Sequence, residues 1–150
     1  MNNERARITI LENEYVSLWY YPDTKIIHHQ FHKFVHGEKL REPFNAGTDA
    51  LKKYGARKWL SDDRKNIAAP KEDREWSNTV WFPRTKAAGW KYWAIVQPES
   101  AIGQLSIERV IREFAEQGVV AKIFSDPDEA MAWLERQEDV EFLLTQNACR

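Results

Sequence analysis

Four consecutive polar residues, Ser61-Asp62-Asp63-Arg64, follow a short run of strand-forming residues near the middle of the chain. In open α/β sheets, ligands bind in the crevice beyond the carboxyl ends of the strands. Two carboxylates at such a place could hold a divalent cation through their oxygens, and Arg64 could bind an anion through two parallel hydrogen bonds. The bland alternative is a solvated loop with a local ion pair. We treat these four residues as a candidate polar site.

Aromatic residues are concentrated in the segment that follows, namely Trp76, Trp81, Phe82 and Trp90. Such residues commonly form the core between helices and a sheet. At 100° per residue, however, Trp76 and Trp81 lie about 140° apart around an α-helix. One stripe facing the sheet does not easily bury both indoles. We therefore expect one of them to line an apolar cleft or a subunit interface, where aromatic side chains are frequent anchors.

Four histidines between residues 28 and 36 resemble a metal cluster at first sight. The Ile, Phe and Val residues among them favour a strand, in which His28 and His32 stand about 13 Å apart at ~3.3 Å per residue. One ion cannot bridge that distance. On a helix, His28, His32 and His36 would share one face and two of them could bind zinc. Because a strand is favoured, we predict no metal site at these histidines, and we expect no cofactor. The sequence also contains no G-x-S-x-G elbow and no P-loop.

Length and composition indicate a single domain over residues 1–150, with a core at about 15–137, a flexible N-terminus and a C-terminal tail. The 22 basic and 23 acidic residues leave a net charge of −1, which gives no electrostatic reason to expect nucleic acid binding.

No run approaches the ~18 apolar residues of a membrane helix, and the first residues lack a signal-peptide core. We expect a cytoplasmic protein without a membrane span. The single cysteine, Cys149, excludes an internal disulfide.

The order of elements predicts an α/β fold. Two extended runs, 15–21 and 25–35, suggest an N-terminal β-hairpin. The strands expected after it are 56–60, 92–96 and 119–124. The helices expected are 43–54, 72–88, 107–117 with Ser106 as its candidate N-cap, and 127–136 with Asp126 as its N-cap. Strand 92–96 is apolar on both faces, which is typical of a central strand covered by helices on each side. We therefore predict a five-stranded, mostly parallel mixed sheet with helices on its faces.

Several phrases of the sequence resemble a known family. They are Lys58-Trp59-Leu60-Ser61-Asp62-Asp63-Arg64, Trp81-Phe82-Pro83, Gly89-Trp90-Lys91-Tyr92-Trp93-Ala94 and Glu129-Ala130-Met131-Ala132-Trp133-Leu134. They resemble bacterial SpoIIAA-like proteins of the STAS superfamily, which are themselves similar to CRAL-TRIO lipid-transfer domains. The resemblance implies a STAS-like fold and no established chemistry. Anti-sigma factor antagonists of this superfamily carry a phosphorylatable Ser in an Asp-Ser-Ser-Gly element, and this chain has no such element around Ser61.

Three functions are compatible with these observations. The resemblance, the divided Trp face and the lack of a catalytic motif favour a non-catalytic regulatory or protein-interaction module that forms a homodimer. The aromatic middle of the chain and the CRAL-TRIO relationship suggest an alternative, the binding of a lipid-like or other apolar small molecule in an aromatic-lined cleft. A third alternative is a metal-dependent enzyme that uses Asp62 and Asp63.

Overall fold

The structure, a computed structural model, describes residues 5–66 and 69–148, with side chains as far as Gln137. Within these ranges, six strands form one sheet in the order β1-β2-β3-β4-β5-β6. They are β1 (Ile8–Glu12), β2 (Val16–Tyr21), β3 (Ile26–Phe31), β4 (Lys58–Asp62), β5 (Tyr92–Val96) and β6 (Val120–Phe124). The first three strands pair antiparallel, and β3 to β6 run parallel. The α/β class is therefore confirmed, and the sheet is mixed.

The prediction of five strands is wrong by one strand at the N-terminal edge. Strand β1 lies in the stretch that we expected to be flexible, and it pairs with β2 across a register shift between Thr9 and Leu11. Its side chains are exposed or half-buried. An edge strand of five residues with little burial has only a weak sequence signal, because burial on one face is what produces a clear alternation.

In the part of the chain that the structure describes, five α-helices accompany the sheet, and a π-helical turn, Ser77–Trp81, joins the second to the third. They are α1 (Glu38–Tyr54), α2 (Lys71–Trp76), α3 (Phe82–Ala87), α4 (Ala101–Ala115) and α5 (Pro127–Ala148). Strands β3 to β6 follow one another across the sheet in chain order. Because right-handed crossovers that all proceed in one direction across a sheet lie on one side of it, the helices that connect these strands are on the same face. We call this the α1 face, and the opposite face, which α5 covers, the α5 face.

Each face has its own apolar core. On the α1 face the helices bury Leu18, Ile27, Trp59, Trp93 and Ile95. On the α5 face, Ala130, Met131 and Leu134 of α5 pack against Leu60, Tyr92, Ala94 and Val96. Strand β5 is buried on both faces, as its sequence predicts.

Helix α1 begins five residues before Pro43, where we expected its start, and the proline lies inside the helix. A contact from another element explains the earlier start. The backbone N–H of Gly37 donates to both carboxylate oxygens of Asp73, at 3.2 and 3.1 Å, so a buried side chain of α2 holds the residue before the helix.

In the middle of α1, Gly47 lies directly on the ring of Trp59, since a Cβ built at Gly47 would stand 2.3 Å from that ring.

The last two helices differ from their predicted bounds. Helix α4 starts six residues before residue 107, because the side chain of Ser100, not Ser106, caps it by accepting from the N–H of Gly103 at 3.0 Å. Helix α5 begins at Pro127 as predicted but continues past residue 136 to Ala148.

Cys149 lies outside the described residues. Within the described ranges, no helix is both long and apolar enough to cross a membrane.

Candidate functional site

A cavity of about 210 Å³ lies on the α1 face, at the carboxyl ends of β3, β4 and β5. Helix α1, the π-helical turn and α4 form its walls. Its inner surface combines aromatic and aliphatic groups with a few polar ones; those used below are His29, Phe44, Ser61, Asp63, Trp81, Trp93, Val110 and Phe114. This is the position at which open α/β sheets bind ligands. We call this space the cavity.

Strand register brings the polar floor of the cavity together. Strands β3 and β4 pair so that His29 lies opposite Ser61, and both side chains point to the α1 face. Both residues are almost fully buried, with 1% and 2% of their surface exposed. Asp63 comes two residues after Ser61 and reaches the same side, where its Oδ1 lies 2.9 Å from His29 Nε2.

The indole of Trp59 determines which nitrogen of His29 carries the proton. Trp59 Nε1 donates to His29 Nδ1 at 2.9 Å, and an indole N–H acts only as a donor. Nδ1 is therefore an acceptor, and the hydrogen resides on Nε2, from which it is donated to Asp63 Oδ1. Both ring nitrogens are occupied, so His29 orients Asp63 rather than exchanging protons with a ligand.

Ser61 is held in a similar way by a second tryptophan. Trp93 Nε1 donates to Ser61 Oγ at 2.8 Å, and both side chains are buried. The hydroxyl hydrogen of Ser61 remains available, because none of the described residues accepts it. Asp63 Oδ2 likewise receives no hydrogen bond from the described residues, since the contact with His29 uses Oδ1. As far as the described residues show, one donor, on Ser61, and one acceptor, on Asp63, thus remain at the cavity floor.

The aromatic wall depends on the π-helical turn. Its last residue, Trp81, is buried, lines the cavity and donates from Nε1 to the backbone oxygen of Phe44 at 3.1 Å. Trp81 also stacks on the Phe44 ring, with 4.6 Å between centroids. The i→i+5 hydrogen bonding of π-helices is rare and is found frequently at functional sites. Here it turns Ser77, Asn78 and Trp81 towards one space.

Charged residues lie at the rim. Arg109 and Glu113 of α4 are exposed, and Arg74 of α2 is half-buried. Asn78 reaches across from the π-helical turn to Glu113, with 3.5 Å between Nδ2 and Oε2. This long contact joins the two walls at the mouth.

The expected divergence of Trp76 and Trp81 is wrong. Both rings stack against Phe44, at 6.4 and 4.6 Å between centroids. The 140° separation assumed an α-helix, whereas the i→i+5 spacing of the π-helical turn brings residues five apart to nearly the same side. Trp76 is half-buried and packs against the core of the α1 face without lining the cavity.

The remaining aromatic candidates are core residues. Phe82 is fully buried and stacks on Phe114 at 3.9 Å, and buried Trp90 donates from Nε1 to the backbone oxygen of Tyr92 at 3.1 Å. Neither lines the cavity. Of the four aromatic residues selected from the sequence, the structure places Trp81 alone at this cavity.

The candidate polar site is divided between the two faces of the sheet. Ser61 and Asp63 lie at the cavity, whereas buried Asp62 lies on the α5 face and accepts two hydrogen bonds from Arg64, at 2.9 and 2.8 Å. This bidentate contact raises the pKa of the Arg64 guanidinium. The two carboxylates therefore do not converge on one ion. Among the described residues, no group of three or more His, Cys, Asp or Glu side chains is placed to hold a metal.

Sequence reasoning missed His29, Phe44 and Trp93 as cavity residues. Their selection requires knowing that β3 lies beside β4 and that β5 follows it in parallel. One signal was present: His29 alternates with its neighbours in a strand, so it had to face the side opposite His28.

No family model matches the chain, and the searches of curated proteins and of solved structures found no match.

Proposed function

We propose that this protein is a non-catalytic module that binds a small, largely apolar molecule in the cavity. The observation that carries the proposal is the cavity itself, which combines aromatic walls with a few oriented polar groups at the carboxyl ends of parallel strands. Ligand sites in proteins commonly have this composition and position. Of the functions expected from the sequence, this one has the most support.

The volume limits the size of the ligand. An apolar cavity of about 150 Å³ is known to hold benzene. At the same volume per atom, 210 Å³ corresponds to a ring with a short substituent, about eight or nine non-hydrogen atoms in all. We therefore propose a compact, ring-sized ligand rather than a long acyl chain.

The hydrogen bonds at the floor support binding rather than catalysis. Nucleophilic catalysis pairs a hydroxyl with a base that can take its proton. The hydroxyl of Ser61 instead accepts from an indole, and both nitrogens of His29 are engaged. These contacts hold polar groups in fixed positions, as a binding site requires.

Saturation-transfer NMR with isopropylbenzene tests the proposal. We expect transfer to the probe from the wild-type protein. Transfer should be lost in Val110→Phe, which adds a ring inside the cavity, and kept in Ile111→Phe, its neighbour that is half-buried but does not line the cavity. Absence of transfer from the wild-type protein, or equal transfer from both variants, would contradict the proposal.

A second candidate function is self-association through α4. Ile102 and Leu105 lie one turn apart on this helix and are 69% and 66% exposed, which is high for large aliphatic side chains. We propose that they belong to a homodimer interface. Sedimentation velocity should show a dimer at tens of micromolar and a monomer for the double variant Ile102→Gln, Leu105→Gln. A monomeric wild-type protein would refute this candidate.

We also propose that the chain is a SpoIIAA-like member of the STAS superfamily and acts in the cytoplasm. The family proposal rests on the sequence phrases around residues 58–64 and 89–94. The cellular location rests on the sequence expectation alone. Fluorescence microscopy of the tagged protein in cells tests the location, and a signal confined to the envelope would refute it.

A further inference from the structure

We infer that the ligand carries one uncharged hydroxyl or amide group at its inner end, which donates a hydrogen bond to Asp63 and accepts one from Ser61. This inference rests on the proposed binding function and specifies the chemical class of the ligand. It follows from the two hydrogen-bonding groups that remain at the floor of the cavity after all contacts among the described residues are made.

The first of these groups is a carboxylate oxygen. The N–H of His29 occupies Oδ1 of Asp63, and the indole of Trp59 prevents His29 from presenting a different tautomer. Oδ2 is therefore the oxygen that meets a ligand, and it only accepts. The ligand must supply a donor to it.

The second group is a hydroxyl hydrogen. Ser61 Oγ accepts the indole hydrogen of Trp93, so the hydroxyl presents its own hydrogen to the cavity. A buried hydroxyl without an acceptor is costly, which means that this position favours a ligand with an acceptor. Ser61 and Asp63 are two residues apart, or about 6.6 Å along the chain. One polar group between them can therefore reach both.

Charge disfavours an anionic ligand, and a cation such as an ammonium group would offer no acceptor to the hydroxyl hydrogen of Ser61. Arg64, the nearest cation in sequence, is paired with Asp62 on the opposite face and does not neutralise Asp63. His29 contacts Asp63 as a neutral ring. A ligand carboxylate at the floor would meet an uncompensated negative charge in a poorly solvated space. The arginines at the rim are screened by solvent, because Arg109 is exposed and Arg74 is only half-buried.

Four probes of matched size and shape separate these contributions. Benzamide offers a donor and an acceptor, acetophenone an acceptor only, benzoate a negative charge and isopropylbenzene no polar group. By calorimetric titration of the full chain, we expect benzamide to bind about tenfold more tightly than acetophenone. Benzoate should bind at least tenfold more weakly than benzamide.

Asp63→Asn provides a change of specificity rather than a simple loss. The N–H of His29 still requires an acceptor, so the amide oxygen of the new side chain should take the place of Oδ1. Its NH₂ group then faces the cavity, where it donates. We expect the order of benzamide and benzoate to reverse in this variant. Asp49→Asn makes the same chemical change at an exposed position of α1 outside the cavity and should keep the wild-type order.

The outcomes distinguish this inference from the proposed function. If isopropylbenzene binds as tightly as benzamide, the cavity is a binding site but the assignment of Ser61 and Asp63 is refuted. If benzoate binds more tightly than benzamide to the wild-type protein, the polar end of the ligand lies at the rim arginines and the inference is again refuted. If no probe binds, the proposed function falls together with the inference.

Discussion

His28 should make the fold sensitive to mild acid. It lies on the α5 face between the rings of Trp19 and Tyr21, and burial lowers its pKa to about 3. Its Nδ1 is 2.9 Å from the hydroxyl of Tyr21. Its Nε2 is buried without a hydrogen-bond partner among the described residues. The native state therefore holds this imidazole in its neutral form.

The sign and size of the effect follow from proton linkage. An unfolded chain binds a proton on this histidine below about pH 6.5, whereas the folded chain does so only near pH 3. Between these values the unfolded state binds more protons, so stability falls as the pH falls. With these two pKa values, the free energy of unfolding should drop by about 2 kcal/mol between pH 7 and pH 5 through His28 alone.

Urea denaturation at the two pH values measures this drop. Other groups also titrate, so the quantity of interest is the difference between the wild-type protein and His28→Phe, which keeps an aromatic ring at this position. We expect the variant to lose about 2 kcal/mol less than the wild-type protein. His36→Phe, at an exposed histidine, should behave as the wild-type protein does. An identical loss in all three proteins would show that His28 takes up its proton without unfolding, and the linkage would be refuted.

Three further predictions test the packing and the polar site. Gly47→Ala should destabilise the protein by about 1–3 kcal/mol, because the new methyl group would overlap Trp59. Asp49→Ala, on the exposed side of α1, is the control and should change stability little. Equal urea midpoints for the two variants would contradict this packing. Asp62→Asn should lower the free energy of unfolding by about 1–2 kcal/mol, because it weakens the contact with Arg64, whose side chain is 36% exposed. Asp63→Asn should lower it by less. A larger loss of stability in Asp63→Asn would reverse the roles assigned to the two carboxylates. Magnesium, manganese and calcium should leave the melting temperature unchanged, and a rise of several degrees with any of them would revive the metal-dependent enzyme.

The parts of the fold that were predictable are those with strong local signals. Strand β5 is apolar on both faces, and a strand of that kind lies in the middle of a sheet. Helix α5 starts where Asp126 can cap it, and the N–H of Asp128 does donate to that carboxylate at 3.1 Å. Neither element depends on a distant residue for its definition.

The parts that were not predictable depend on contacts between distant residues. The start of α1 is held by Asp73, which lies 36 residues after Gly37. The π-helical turn was read as an α-helix, because its residues have no composition that distinguishes the two. Strand β1 is defined by its pairing with β2 and not by burial, since its side chains are exposed or half-buried.

The site shows the same division between local and distant information. The rule that ligands bind at the carboxyl ends of strands selected Ser61 and Asp63 from the sequence. It could not separate Asp63 from Asp62, which differs from it by one position and has the same side chain. Alternation along a strand sends the two to opposite faces, where one pairs with Arg64 and the other meets His29. The function of each carboxylate is therefore decided by the neighbouring strand and loop, and a motif of adjacent aspartates is informative only after the face of each residue is known.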